Sequence, residues 1–120
     1  MRYLALIYGN AEIWSGDPER FRAMVAEVDR FNSELTASGE MAAVEGLGHG
    51  VVAIRGGGDG PVVTDGPYLE AKEHVGSYFL LDVASPERAL EIASSYPALT
   101  HCDGGGLELW PLMQPGGPTE

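Results

Sequence analysis

Apolar and polar positions divide the chain into six extended stretches and two helices. Residues 2–8 (RYLALIY) are apolar at nearly every position, which predicts a strand covered on both faces. Gly9-Asn10 ends it. Asp17-Pro18-Glu19-Arg20 opens a helix. Asp17 supplies a cap acceptor, Pro18 suits the first helical position, and Glu19 favours the positive end of the helix dipole. Phe21, Met24, Val25, Val28, Phe31 and Leu35 recur at helical spacing and form one apolar stripe. Gly39 is a natural residue to follow the last turn. A weakly alternating strand lies within 40–47, and Gly48-His49-Gly50 reads as a turn. Short strands at 51–55 and 61–64 flank a flexible glycine-rich hairpin loop at 56–60. Residues 76–83 form the next strand. Ser85-Pro86-Glu87-Arg88 opens a second helix that stops before Pro97, and 107–112 is the last strand.

The order contains an echo. A strand leads into Asp17-Pro18-Glu19-Arg20, a helix and a strand. A second strand leads into Ser85-Pro86-Glu87-Arg88, a helix and a strand. That is β-α-β written twice, an α+β, ferredoxin-like arrangement with an antiparallel sheet and an extra β-hairpin between the halves. Residues 1–113 read as a single domain and 114–120 as a flexible Pro- and Gly-rich tail. Both helices should cover one face of the sheet. Yet Tyr3, Ala5 and Ile7 alternate with Leu4, Leu6 and Tyr8, so a second apolar face also needs cover. A C2 homodimer, sheet against sheet, provides it.

Composition and charge narrow the function classes. A chain of 120 residues, 44% hydrophobic and 21% charged, reads as globular and can bury one core. A formal charge of −11 argues against nucleic acid and anionic membrane surfaces as partners. The single cysteine, Cys102, excludes an internal disulfide framework. The seven-residue apolar run at the N-terminus is too short for a signal-peptide core, and no stretch approaches the ~20 apolar residues of a membrane span. A cytoplasmic protein is the expectation.

Residues 64–83 combine a rigid turn, ionisable groups and an apolar strand. In Asp65-Gly66-Pro67, Pro67 fixes φ and Gly66 admits a φ other residues avoid. Tyr68, Glu70, Lys72, Glu73 and His74 follow, then the strand with Tyr78. Asp65-Gly66-Pro67-Tyr68, Glu70-Ala71-Lys72-Glu73 and Gly76-Ser77-Tyr78-Phe79-Leu80-Leu81-Asp82 closely resemble the DGPF branch of the YCII-related proteins. Tyr68 replaces that branch's Phe, and Ser77 its second Gly. Arg2-Tyr3-Leu4 to Tyr8-Gly9, Glu45-Gly46-Leu47 and Leu107 to Met113 are similar as well, so the likeness covers most of the chain. The resemblance implies a dimeric α+β barrel. It also implies either small-molecule chemistry or a regulatory role linked to sigma-factor systems. Some relatives use a His–Asp pair with a histidine on the first helix. Here that helix has none, and Glu27, Asp29 and Arg30 occupy its middle. Only Asp65, Gly66, Pro67, Glu70 and Lys72 carry over.

The residues themselves leave alternatives open. Asp65 is a turn residue or a pocket carboxylate beside Lys72. Lys72 is part of a solvated cluster with Glu70 and Glu73, or an anion binder or acid–base group. His49 and His74 are surface histidines or reach a ligand. Tyr68, Tyr78, Gly66, Pro67 and Glu70 are candidate binding residues. His101-Cys102-Asp103 lacks the spacing of a metal site, and no metal or cofactor is expected. The 56–60 glycines are followed by neither Gly-Lys-Ser/Thr nor a helix, so they form no phosphate loop. Three roles remain. They are a cofactor-independent acid–base enzyme on a small organic molecule, a metabolite-sensing binding protein, and a structural dimer.

Overall fold

The computed structural model describes residues 1–9, 17–66, 74–101 and 105–113. Its main sheet holds strands β1 (Arg2–Gly9), β2 (Met41–Gly46), β5 (His74–Asp82) and β6 (Gly106–Pro111) in the order β2-β5-β1-β6. All three pairings are antiparallel. Helix α1 (Pro18–Ser38) joins β1 to β2, and α2 (Pro86–Ser94) with the one-turn α3 (Ala98–His101) joins β5 to β6. This is the doubled β-α-β, ferredoxin-like α+β arrangement that the pattern predicts. Strands β3 (Val52–Gly57) and β4 (Gly60–Asp65) form a separate two-stranded sheet between the halves and, among the described strands, pair only with each other.

Local chemistry explains the helix ends. Asp17 accepts from the Glu19 N–H at 3.0 Å and Pro18 opens α1. Gly39 closes it at φ 83°, in the left-handed region that a Cβ disfavours, and Glu40 N–H returns to the Leu35 carbonyl. Ser85 caps α2 through the Arg88 N–H. Two expectations need correction. The 56–60 loop is a two-residue turn, because the strands continue to Gly57 and resume at Gly60. The central strand starts at His74 rather than 76, since His74 already pairs with Gly9.

The core lies between one sheet face and the helices. Tyr3, Ala5 and Ile7 of β1 and Phe79 and Leu81 of β5 meet Leu35 of α1 and Ala89 and Ile92 of α2. Phe31, Phe79 and Tyr96 form a triangle of rings with centroids 5.4–5.8 Å apart, two of the contacts edge-to-face. The other sheet face carries Leu4, Leu6, Tyr8, Tyr78 and Leu80, all half-buried, with Trp110 53% exposed. No described element covers them. The molecule is 20 Å across its thinnest axis, the depth of one sheet and one helix layer.

Candidate functional site

The stripe on α1 divides into two halves. Leu35 is buried and Phe31 and Val28 are partly buried against the core. Towards the helix start, Phe21 is 40% and Val25 37% exposed. They overhang a cavity of about 370 Å³ instead of packing on the sheet. Its helix wall is Phe21, Met24, Val25, Val28 and Asn32. The sheet wall is Ile7, Val44, Glu45, Gly46, Gly76, Ser77 and Phe79, and Tyr96 and Ala98 close one side. This volume lies within the ordinary range of small-molecule sites, and the lining is mainly apolar.

The sheet register explains why the space is there. Ser77 sits opposite Ile7 on one side and Gly46 on the other. Small residues at 46, 76 and 77 leave the sheet shallow beneath α1. This is also the end of the sheet where β1 finishes, β5 and β6 begin and β2 finishes.

One histidine–carboxylate contact lies near this region, although neither residue lines the cavity itself. His101 Nε2 lies 2.6 Å from Glu27 Oε2. Glu27 follows Met24 by one helical turn, and His101 follows Ala98 by one turn, both of which line the cavity. Arg20, two turns before Glu27, donates from Nη2 to the His101 carbonyl at 2.8 Å, fixing α3 against α1. In the neutral ring, a proton held on Nε2 by the carboxylate leaves Nδ1 as the basic nitrogen. A carboxylate that orients an imidazole in this way suits it to general acid–base work. Sequence reasoning named Glu27 only as a helix occupant and His101 only as a poor metal ligand. Their separation of 74 positions hid the pair.

The residues singled out from the sequence do not gather at one point. Asp65 ends β4 and is exposed. Gly66 donates its N–H to the Val51 carbonyl at 2.8 Å. Its φ is not in the left-handed region, contrary to expectation; glycine is required there for space. A Cβ would stand 2.7 Å from Val51 Cγ1 and 3.3 Å from the Ala53 nitrogen. His49 is exposed in the turn after β2. His74 is half-buried at the start of β5, two residues before Gly76 in the cavity wall. Tyr78 points to the uncovered sheet face, opposite Leu6 and Glu45. Pro67, Tyr68, Glu70 and Lys72 lie outside the described residues, as do Cys102 and Asp103. Among the described residues, no group of three or more His, Cys, Asp or Glu could hold a metal ion. No described helix is long and apolar enough to cross a membrane.

On the uncovered face, Glu108 Oε1 accepts from the Tyr8 hydroxyl at 3.0 Å and from Trp110 Nε1 at 3.2 Å. The hydrogen bond to this carboxylate, with some burial and the negative charge itself, raises the Tyr8 hydroxyl above the usual phenol range.

A family model for the YCII-related domain matches residues 1–112, nearly the whole chain. The protein belongs to the YCII-related family. No curated protein matches it.

Proposed function

We propose that this YCII-related protein is a cofactor-independent acid–base enzyme. It takes a small organic molecule into the cavity beneath α1, with the nearby Glu27–His101 pair moving the proton. The observation that carries this reading is the apolar cavity of about 370 Å³. It is open where Phe21 and Val25 are exposed, and Met24 and Ala98 of its lining lie one turn from Glu27 and His101, whose contact orients the imidazole. Of the DGPF-like motif, Lys72 and Glu70 remain candidate groups on the strength of the sequence resemblance. His49 and Asp65 do not contribute in this reading.

A thermal-shift screen of neutral phenols, cyclic ketones and lactones tests the site, with wild type and Val25→Trp side by side. A ligand at a hundredfold excess over Kd stabilises by about 2.7 kcal/mol, several degrees for this size. The indole at 25 should abolish the shift. Any hit is then assayed for turnover. His101→Ala should lower turnover by roughly 10²–10⁴-fold with binding retained. Binding without turnover in wild type would move the protein to the sensing class. A shift unaffected by Val25→Trp would place the ligand elsewhere.

We also propose that the protein is a homodimer joined through the uncovered sheet face, as in a dimeric α+β barrel. The support is the half-buried row Leu4, Leu6, Tyr78 and Leu80 beside exposed Trp110. A contiguous apolar face of this kind is seldom left to water.

A further inference from the structure

The strand that floors the cavity carries a β-bulge. Along β1 and β5 the register runs from Leu6 and Tyr78 to Ile7 and Ser77, then steps to Tyr8 and Val75 and on to Gly9 and His74. Gly76 is the extra residue on β5, and it lies in the cavity wall. Residues directly opposite in an antiparallel pair share a face. Ser77 therefore stands with Ile7 on the face turned to α1, and Val75 stands with Tyr8 on the uncovered face. His74 stands with Gly9, back on the α1 side. In an unbroken ladder Gly76 would oppose Tyr8 and Val75 would oppose Gly9, and the alternation would send His74 to the uncovered face. Bulges are over-represented next to active sites, where they re-aim a side chain.

The two side chains so gathered are polar and half-buried. Ser77 lines the cavity beside Ile7, Val44 and Phe79. His74 stands past Gly76, beyond the cavity wall, at the end of the sheet where β1 finishes. Neither side chain makes a hydrogen bond to a described residue. The serine can donate from its hydroxyl and the imidazole from a ring N–H, and a carbonyl oxygen has two lone pairs to receive them. Taken with the cavity as the proposed site, on which this inference rests, we infer that the bulge builds the polar end of that site. The ligand is then an apolar ring compound whose polar end is an oxygen acceptor, a carbonyl being the simplest. Its oxygen docks on Ser77 and His74, and its ring lies beneath α1 against Val25 and Val28.

Two probes of matched shape, 1-tetralone and 1-methylidenetetralin, differ by an oxygen against a methylene and test this. Equilibrium dialysis gives the affinity of each for wild type, Ser77→Ala, His74→Phe and Val25→Trp. Wild type should prefer the ketone by roughly tenfold or more, because the hydrocarbon strips water from both donors and pairs with neither. Ser77→Ala and His74→Phe should each cut that ratio by about threefold or more. Both should still bind the hydrocarbon, which a collapsed site would not allow. Equal affinity of wild type for the two probes, both lost in Val25→Trp, would leave the cavity standing as the site and overturn its polar end. A ketone preference that survives both Ser77→Ala and His74→Phe overturns it too. A preference that falls in only one of them overturns the pairing of the two residues across the bulge. If neither probe binds wild type, or Val25→Trp binds both unchanged, the cavity reading itself fails and takes this inference with it.

Discussion

Arg88 and Glu40 meet in a two-point ion pair, Nε to Oε2 at 2.7 Å and Nη2 to Oε1 at 2.8 Å. The fork joins the first turn of α2 to the residue before β2, elements 48 positions apart. Ser38 Oγ adds a hydrogen bond to Glu40, and Glu91 takes the remaining edge of the guanidinium. The planar guanidinium matches both carboxylate oxygens, a geometry lysine cannot reproduce. The hydrogen bonds from Arg88 hold the Glu40 carboxyl down at about 2.

Acid should therefore weaken the fold in a defined window. Glu40 ionises near 4.5 without its partner and near 2 in the folded chain, so the folded state favours its charged form. The resulting stability is fully present above 4.5 and is lost as pH falls from there towards 2. Urea midpoints between about pH 6 and pH 2 should decline less steeply for Glu40→Gln than for wild type over that window. Parallel curves would mean the pair contributes nothing. Arg88→Lys should resemble Glu40→Gln more closely than wild type.

The two halves of the α1 stripe should respond differently to truncation. Phe79 is fully buried and touches both Phe31 and Tyr96. Phe79→Ala removes a ring from a packed cluster and should cost about 3–5 kcal/mol. That corresponds to a fall in Tm of roughly 12–20 °C. Val25→Ala, over the open cavity, should cost less than about 1 kcal/mol, because little apolar area leaves contact with protein. Chemical denaturation of both variants checks the contrast. Comparable losses would show the helix start to be packed.

That contrast also marks what could be read from residues alone. The doubled strand–helix–strand order was legible because its signals are local. Asp17 and Ser85 cap as their types suggest, and each strand announces itself over a few residues. The stripe from Phe21 to Leu35 was equally legible, but not the void beneath its first half. That void depends on Gly46, Gly76 and Ser77 lying side by side across two strands. Ser77 looked only like a mild departure from a motif. Glu27 and His101 needed tertiary contact to become a pair. Gly66 was singled out correctly as a special glycine but for the wrong physics, a φ value in place of a close approach.

Gly66→Ala should act locally. The added methyl meets Val51 Cγ1 at 2.7 Å and the Ala53 nitrogen at 3.3 Å; exposed Val51 can turn away, but the Ala53 backbone must also shift. The expected cost is that of local overpacking, about 1–3 kcal/mol, confined to β3 and β4, whose strands pair only with each other among those described. Hydrogen exchange should quicken at 52–65 and stay unchanged at Phe79 and Leu81. Faster exchange in the main sheet would instead tie this glycine to the whole fold.

Association should depend on the uncovered face. Leu6 lies at its centre, flanked by Tyr78 on β5 and Glu108 on β6. A charge at position 6 would be desolvated by a second sheet but harmless in an open monomer. Light scattering at micromolar concentration should give twice 12.7 kDa for wild type and 12.7 kDa for Leu6→Asp. Far-ultraviolet circular dichroism of Leu6→Asp should match wild type if the monomer folds. The hairpin offers a control, because its apolar row Val52, Ile54 and Val63 is also exposed, at 58–63%. Ile54→Asp should leave the mass at the dimer value if the sheet face alone joins the copies. A monomeric wild type would refute the homodimer. A dimer that survives Leu6→Asp and dissociates with Ile54→Asp would move the interface from the sheet face to the hairpin.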